Sequence, residues 1–274
     1  MQPEQRQQYI ELIDSKPVDA LVAIMKQLRD PNTGCPWDVK QTLQSIIPHT
    51  IEETYEVADA ILHGDPEHIK EELGDLLFQV VFYAQIAQEY DWFEFSDVAK
   101  VMCEKLIRRH PHVFTDQSSL TAEQVEAQWD AIKRSEKVGQ SLPNSILENI
   151  PSGLSPLLQA HKIQKTVAKV GFDWVEISPV VDKIKEELVE VEEAIEAGDH
   201  RHIEEEIGDL LFAVVNLARH AGVKSEVALL AANQKFTQRF MQVESLVRED
   251  NEMIDDLTLV ELEQLWLKVK AKNK

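Results

Sequence analysis

The sequence predicts an all-α protein made of two tandem copies of one helical-bundle domain. Three observations predict it. Residues 52–78 and 186–212 align without a gap at an offset of 134, with 17 of 27 positions identical. Apolar residues in both segments recur at helical spacing, and strand-like alternation is scarce. Helix-start signals fall where that periodicity begins. A period this long marks duplicated domains rather than a solenoid.

The expected organisation is a first domain over 1–137, a linker over 138–154 and a second domain over 155–274. In the first copy a helix should end at Gly64, and Asp65-Pro66, an acidic cap followed by proline, should open the next. Leu73, Leu76, Leu77, Val80 and Ala84 then form an apolar stripe. Thr121 with Gln124 reads as a capping box opening the helix that carries Trp129. The linker lies in a stretch with three prolines and two glycines, residues 137–156. The second copy repeats the order: Gly198 as turn, Ile207, Leu210, Leu211, Val214 and Ala218 as stripe, then Thr258 with Glu261 ahead of Trp266. Each copy should hold about four or five helices.

Four carboxylates recur with mirror spacing about each glycine. Glu53, Glu56, Glu72 and Asp75 surround Gly64; Glu187, Glu190, Glu206 and Asp209 surround Gly198. Residues at i,i+3 share a helix face, so a hairpin at the glycine sets Glu56 against Glu72 and Glu53 against Asp75. Like charges at that spacing destabilise an isolated helix by roughly 0.2–0.5 kcal/mol per pair. A solvated acidic face explains one such motif but not its symmetric recurrence; bound cations do. All-carboxylate sites suit hard ions, Mg2+ with Mn2+ as substitute. The rival is a di-iron bundle, which needs Glu-x-x-His where this chain has Glu-x-x-Asp. His63, His68, His200 and His202 lie in or near the turns and are expected at the surface, away from the ligand faces. Glu52, Glu71, Glu186 and Glu205 flank the four acids in both copies. One of them is placed to orient or deprotonate a water; ordinary exposed glutamates are the other reading.

Lys235 and Arg239 stand at i,i+4, as do Lys105 and Arg109, and such a pair beside a metal site suits outer phosphates. A surface pair without function has the same spacing. Lys183 and Lys185 precede the second acidic set, where the first copy has His49 and Ile51. Asn233 matches Cys103, and an amide hydrogen-bonds a sugar or phosphate better than a thiol. Trp129 and Trp266 fit core packing or stacking on a base. These differences favour the second copy as the working site.

The chain of 274 residues carries 49 acids against 28 bases, a formal net charge of −21. That surface repels nucleic-acid backbones and anionic membranes, so neither is expected as a partner. Two cysteines, Cys35 and Cys103, cannot build a thiolate cage. With no apolar signal core or membrane-length apolar run, a soluble cytoplasmic protein is expected.

EETYE (52–56) with EELGD (71–75), and EELVE (186–190) with EEIGD (205–209), resemble the EExxE…ExxD signature of MazG-type nucleoside triphosphate pyrophosphohydrolases. GCPWD (34–38) and KLIRRHPHVF (105–114) resemble the long two-domain bacterial form, and the likeness covers nearly the whole chain. The resemblance implies an all-α fold and Mg2+-dependent cleavage of nucleoside triphosphates between the α- and β-phosphates. It makes Glu187, Glu190, Glu206 and Asp209 metal ligands, sets Lys183, Lys235, Arg239 and Trp266 on the nucleotide, and implies a homodimer. His49, Cys103 and Lys70, standing for Lys183, Asn233 and Glu204, make the first copy mainly structural. A non-catalytic nucleotide-sensing or scaffolding dimer is the alternative. A phosphate-releasing NTPase is disfavoured, because no GxxxxGK[ST] loop exists.

Overall fold

Prolines and glycines set the element boundaries. In a computed structural model that describes residues 3–115, 120–136 and 145–272, the chain divides into two compact units, Met1–Gln140 and Ser141–Lys274. The boundary falls inside the expected linker, of which residues 138–144 lie outside the described residues. Among the described residues all regular structure is helical. None of these helices is long and apolar enough to cross a membrane.

Unit 1 contains α1 (Pro3–Ser15), α2 (Pro17–Leu28), α3 (Pro36–Lys40), α4 (Leu43–His63), α5 (Pro66–Glu89), α6 (Phe95–Arg109), α7 (Pro111–Phe114) and α8 (Ala122–Ser135). That exceeds the four or five helices expected. Pro17, Pro36 and Pro111 each sit at the start of a helix, where a missing N–H costs nothing, and so open separate segments. Met25, Ile46, Val81, Phe82 and Ile86 form the core, joining α2, α4 and α5.

Unit 2 contains α9 (Pro156–Ala168), α10 (Ile177–Ala197), α11 (His200–His220), α12 (Ser225–Glu249), a one-turn 3₁₀ helix (Ile254–Asp256) and α13 (Leu259–Lys272). Val243, Val247 and Val269 join α12 to α13, with Trp266 and Leu265 packed around them.

In each unit two successive long helices, α4 with α5 and α10 with α11, form the hairpin that the acidic spacing predicts. Helix α4 ends on Gly64 at φ +79° and α10 on Gly198 at φ +69°, left-handed conformations that glycine adopts without strain. The next helix starts at once. The Asp65 carboxylate accepts from the Glu67 N–H, and that of Asp199 accepts from the N–H groups of Arg201 and His202. Both capping boxes are present: Thr121 with Gln124, and Thr258 with Glu261.

Candidate metal centre

The hairpins bring three acids together in each unit. Carboxylate oxygens of Glu53, Glu56 and Glu72 lie within 4.8 Å of one another, as do those of Glu187, Glu190 and Glu206. Asp75 and Asp209 complete neither tight group. Asp75 is near enough to Glu53 to perturb it, and Asp209 lines a cavity shared with Glu187. The second group is better enclosed: Glu187 is buried and Glu190 half-buried, where Glu53 is half-buried and Glu56 exposed.

Electrostatics mark both groups as crowded with negative charge. Burial, with Asp75, Glu56 and Glu72 nearby, pushes the Glu53 carboxyl above its ordinary pKa, against the Gln79 amide that donates to it. Burial, then Glu187, Glu206 and Glu186, raises that of Glu190, and Lys183 opposes the rise. Such a donor set, oxygen-only and short of positive charge, fits a hard divalent cation.

Lys183 supplies local compensation. Its ammonium lies 2.7 Å from Glu187 and 2.8 Å from Glu186, and together these carboxylates hold its pKa above the usual lysine range. His49, its counterpart in unit 1, reaches Glu52 only at 3.8 Å and sits edge-on to Trp37. Both flanking candidates are exposed; Glu186 acts on Glu190 and pairs with Lys183, while Glu205 pairs with Arg201 at 3.4 Å. Lys185 pairs with Asp182 and lies off the cavity wall.

Two histidines correct the sequence reading. His68 and His202 do not lie away from the ligand faces: their Nε2 atoms are 2.9 Å from Glu72 and 3.0 Å from Glu206. Each stands four residues before its glutamate, and a helix brings i and i+4 onto one face. Their proximity to the turn hid a spacing that the sequence does contain.

A cavity of about 720 Å³ in unit 2 includes Lys183, Glu187 and Asp209 in its wall. Asn233, Lys235, Arg239 and Trp266 are not among its lining residues. Asn233 and Lys235 are exposed, and neither Lys235 nor Arg239 makes an ion pair among the described residues. Trp266 packs on the α12–α13 core with its ring 5.0 Å from Phe236. In unit 1, Arg109 is engaged by Glu136, which also takes Arg108.

The cavity's other walls were not foreseen. Gln164 from α9 and Asn216 from α11 face it, with Phe172 and Trp174 from the segment before α10. Extending the 134-residue offset past Phe78 and Phe212 reveals the signal: Gln79 and Phe82 become Ala213 and Asn216. Unit 1 fills the equivalent region with Phe82, only 1% exposed, under the Arg29 guanidinium at 5.4 Å.

The sequence matches known proteins over both units. The family described as the MazG nucleotide pyrophosphohydrolase domain matches residues 41–114 and again 177–244. A nucleoside triphosphate pyrophosphohydrolase of Escherichia coli (strain K12) is 51% identical over 93% of this chain and 98% of its own length. A nucleoside triphosphate pyrophosphohydrolase/pyrophosphatase MazG of Thermotoga maritima is 46% identical over 92% of this chain and 95% of its own. Among solved structures, the crystal structure of a mazG-related protein from Thermotoga maritima aligns with a TM-score of 0.37 at 26% identity, covering 42% of this chain and 98% of that one.

Proposed function

The chain belongs to the MazG nucleotide pyrophosphohydrolase family, and from that premise we propose that unit 2 cleaves nucleoside triphosphates between the α- and β-phosphates, giving a monophosphate and pyrophosphate. The observation that carries this reading is the enclosed group of Glu187, Glu190 and Glu206 opening, through Glu187, onto a cavity large enough for a nucleotide.

Glu187, Glu190, Glu206 and Asp209 would hold Mg2+, with Mn2+ as a substitute. The bound ion would neutralise phosphoryl oxygens and acidify water. Lys183 bridges Glu186 and Glu187, and its ammonium would turn to a phosphate once those carboxylates are otherwise engaged. Glu186 is the proposed proton acceptor, since it is close enough to Glu190 to raise its pKa and shares Lys183 with Glu187. His202, on Glu206, would orient that carboxylate as hydrogen-bonded neighbours orient ligating groups.

Lys235, Arg239, Asn233 and Trp266 remain candidate contacts for outer phosphates or the base. They are not among the cavity's lining residues within one chain, which suits a homodimer in which a second copy completes the site; sedimentation tests that state. The cytoplasmic location belongs to the same reading.

Incubation with assorted triphosphates and Mg2+, followed by product identification, tests the reaction. Monophosphate with pyrophosphate is expected. Diphosphate with phosphate would overturn the bond assignment, and inert triphosphates that still bind would favour a sensing role.

A further inference from the structure

We propose that the unit 2 cavity is a nucleobase pocket, and that the amides of Gln164 and Asn216 read the edge of the base. The inference rests on the pyrophosphohydrolase reading for the phosphates and adds which groups meet the other end of the nucleotide.

Comparison of the two units carries it. Met25 and Gln164 are each the ninth residue of a helix opening with proline, α2 at Pro17 and α9 at Pro156. Phe82 and Asn216 hold equivalent places on α5 and α11. Unit 1 uses the apolar pair, and both side chains are buried in its core. Unit 2 has an amide at each place, and both amides line a cavity. For a purely structural core this is an unfavourable exchange, because a buried amide needs partners that a packed apolar side chain does not.

The partners that exist leave a defined remainder. Gln164 Nε2 donates to the Phe212 carbonyl at 2.8 Å, which fixes the amide orientation, and its Oε1 is buried without a partner. Asn216 Oδ1 accepts from Arg219 Nε at 3.1 Å and Nη2 at 2.7 Å, so its amide N–H groups are left to donate. The wall thus presents one acceptor and one donor. Nucleobases carry donors and acceptors side by side on their Watson–Crick edge and offer flat faces for stacking.

Trp174 supplies such a stacking face beside the amides, and Phe172 another. The segment bearing them is held in place, since Asp173 takes Arg219 at 2.5 Å and His220 at 2.9 Å. Arg219 therefore orients both Asn216 and the aromatic segment. Lys183 and Glu187, on the same cavity, set the triphosphate end next to the acids.

The test is equilibrium binding of four α,β-methylene triphosphate analogues, differing in base, to the full chain with Mg2+. Wild type should rank the bases. Gln164→Met, which imports the residue of unit 1, and Asn216→Leu should each weaken binding of the preferred base about tenfold and flatten the ranking. Asn216→Asp keeps an acceptor for Arg219 but replaces the donor with a second acceptor, so it should change which base binds best even if the leucine variant fails to fold. An unchanged ranking and affinity in these variants would overturn the pocket. Turnover of natural triphosphates separates the two readings. Base-selective binding lost in the variants, without any cleavage, upholds the pocket and sinks the hydrolase. Cleavage with a ranking indifferent to both amides does the reverse.

Discussion

The Lys183 ammonium lies 2.7 Å from a carboxylate oxygen of Glu187, whose side chain is only 6% exposed. A buried carboxylate beside two other acids needs a positive neighbour, and Lys183 provides one. Under the proposed metal site, Lys183 and a divalent ion would act on the same carboxylate.

Lys183→Ala should therefore destabilise the chelator-treated protein by about 1–2 kcal/mol, between the values for exposed and buried pairs. Thermal unfolding in chelator and in excess Mg2+ checks it. The deficit should shrink with Mg2+; an equal deficit in both conditions would mean that lysine and ion do not share Glu187.

Divalent cations should raise the melting temperature of the wild-type chain. Saturation at about a hundred times the dissociation constant corresponds to roughly 2.7 kcal/mol of linkage. Glu190→Gln, which removes charge from the tighter group, should reduce that rise. Identical Mg2+ shifts in both proteins would place the bound ion elsewhere.

Gly198→Ala tests the hairpin. A Cβ there would meet nothing within 4 Å, so the cost is that of holding an L-residue at φ +69°, roughly 1–2 kcal/mol. Lower stability with weaker Mg2+ binding is expected, because the turn sets α10 against α11. Unaltered unfolding would show that the hairpin does not depend on this glycine.

His161 gives a pH dependence. It is buried on α9, with Nδ1 unpaired, and burial together with Lys224, Lys165 and Arg219 holds its pKa below the ordinary 6.5. The folded state binds this proton less readily than the unfolded chain. Its contribution to stability is full above 6.5 and is lost as pH falls through that value towards the lower folded one. Replacement by leucine should leave a chain that loses less stability than wild type between about pH 7.5 and pH 5. A parallel fall in both would exclude His161 as a source.

Much of this was legible from spacing. Mirror symmetry about Gly64 and Gly198 is a local property, so the hairpins and the facing of Glu56 on Glu72 followed from helix geometry. Asp65-Pro66 and the two threonine capping boxes were equally local. His68 and His202 are at the surface as expected but on the ligand faces, because closeness to a turn was weighed above i,i+4 spacing; His202 and Glu206 show which rule governs. Asn216 was missed because the position-by-position alignment ended at Phe212 and the comparison beyond it followed only the apolar stripe, Val214 and Ala218. No periodicity foretold the cavity itself, since it depends on how α9 and the Trp174 segment pack on α11. The positions of Lys235 and Trp266 depend likewise on tertiary packing.

The most direct test of the central claim, one working site in unit 2, is turnover of a triphosphate by Glu190→Gln and Glu56→Gln with products identified. The account predicts that Glu190→Gln falls roughly 100-fold or more, while Glu56→Gln, in the unit whose core is filled by Phe82 and Met25, keeps most of its activity. Equal losses in the two variants would contradict it.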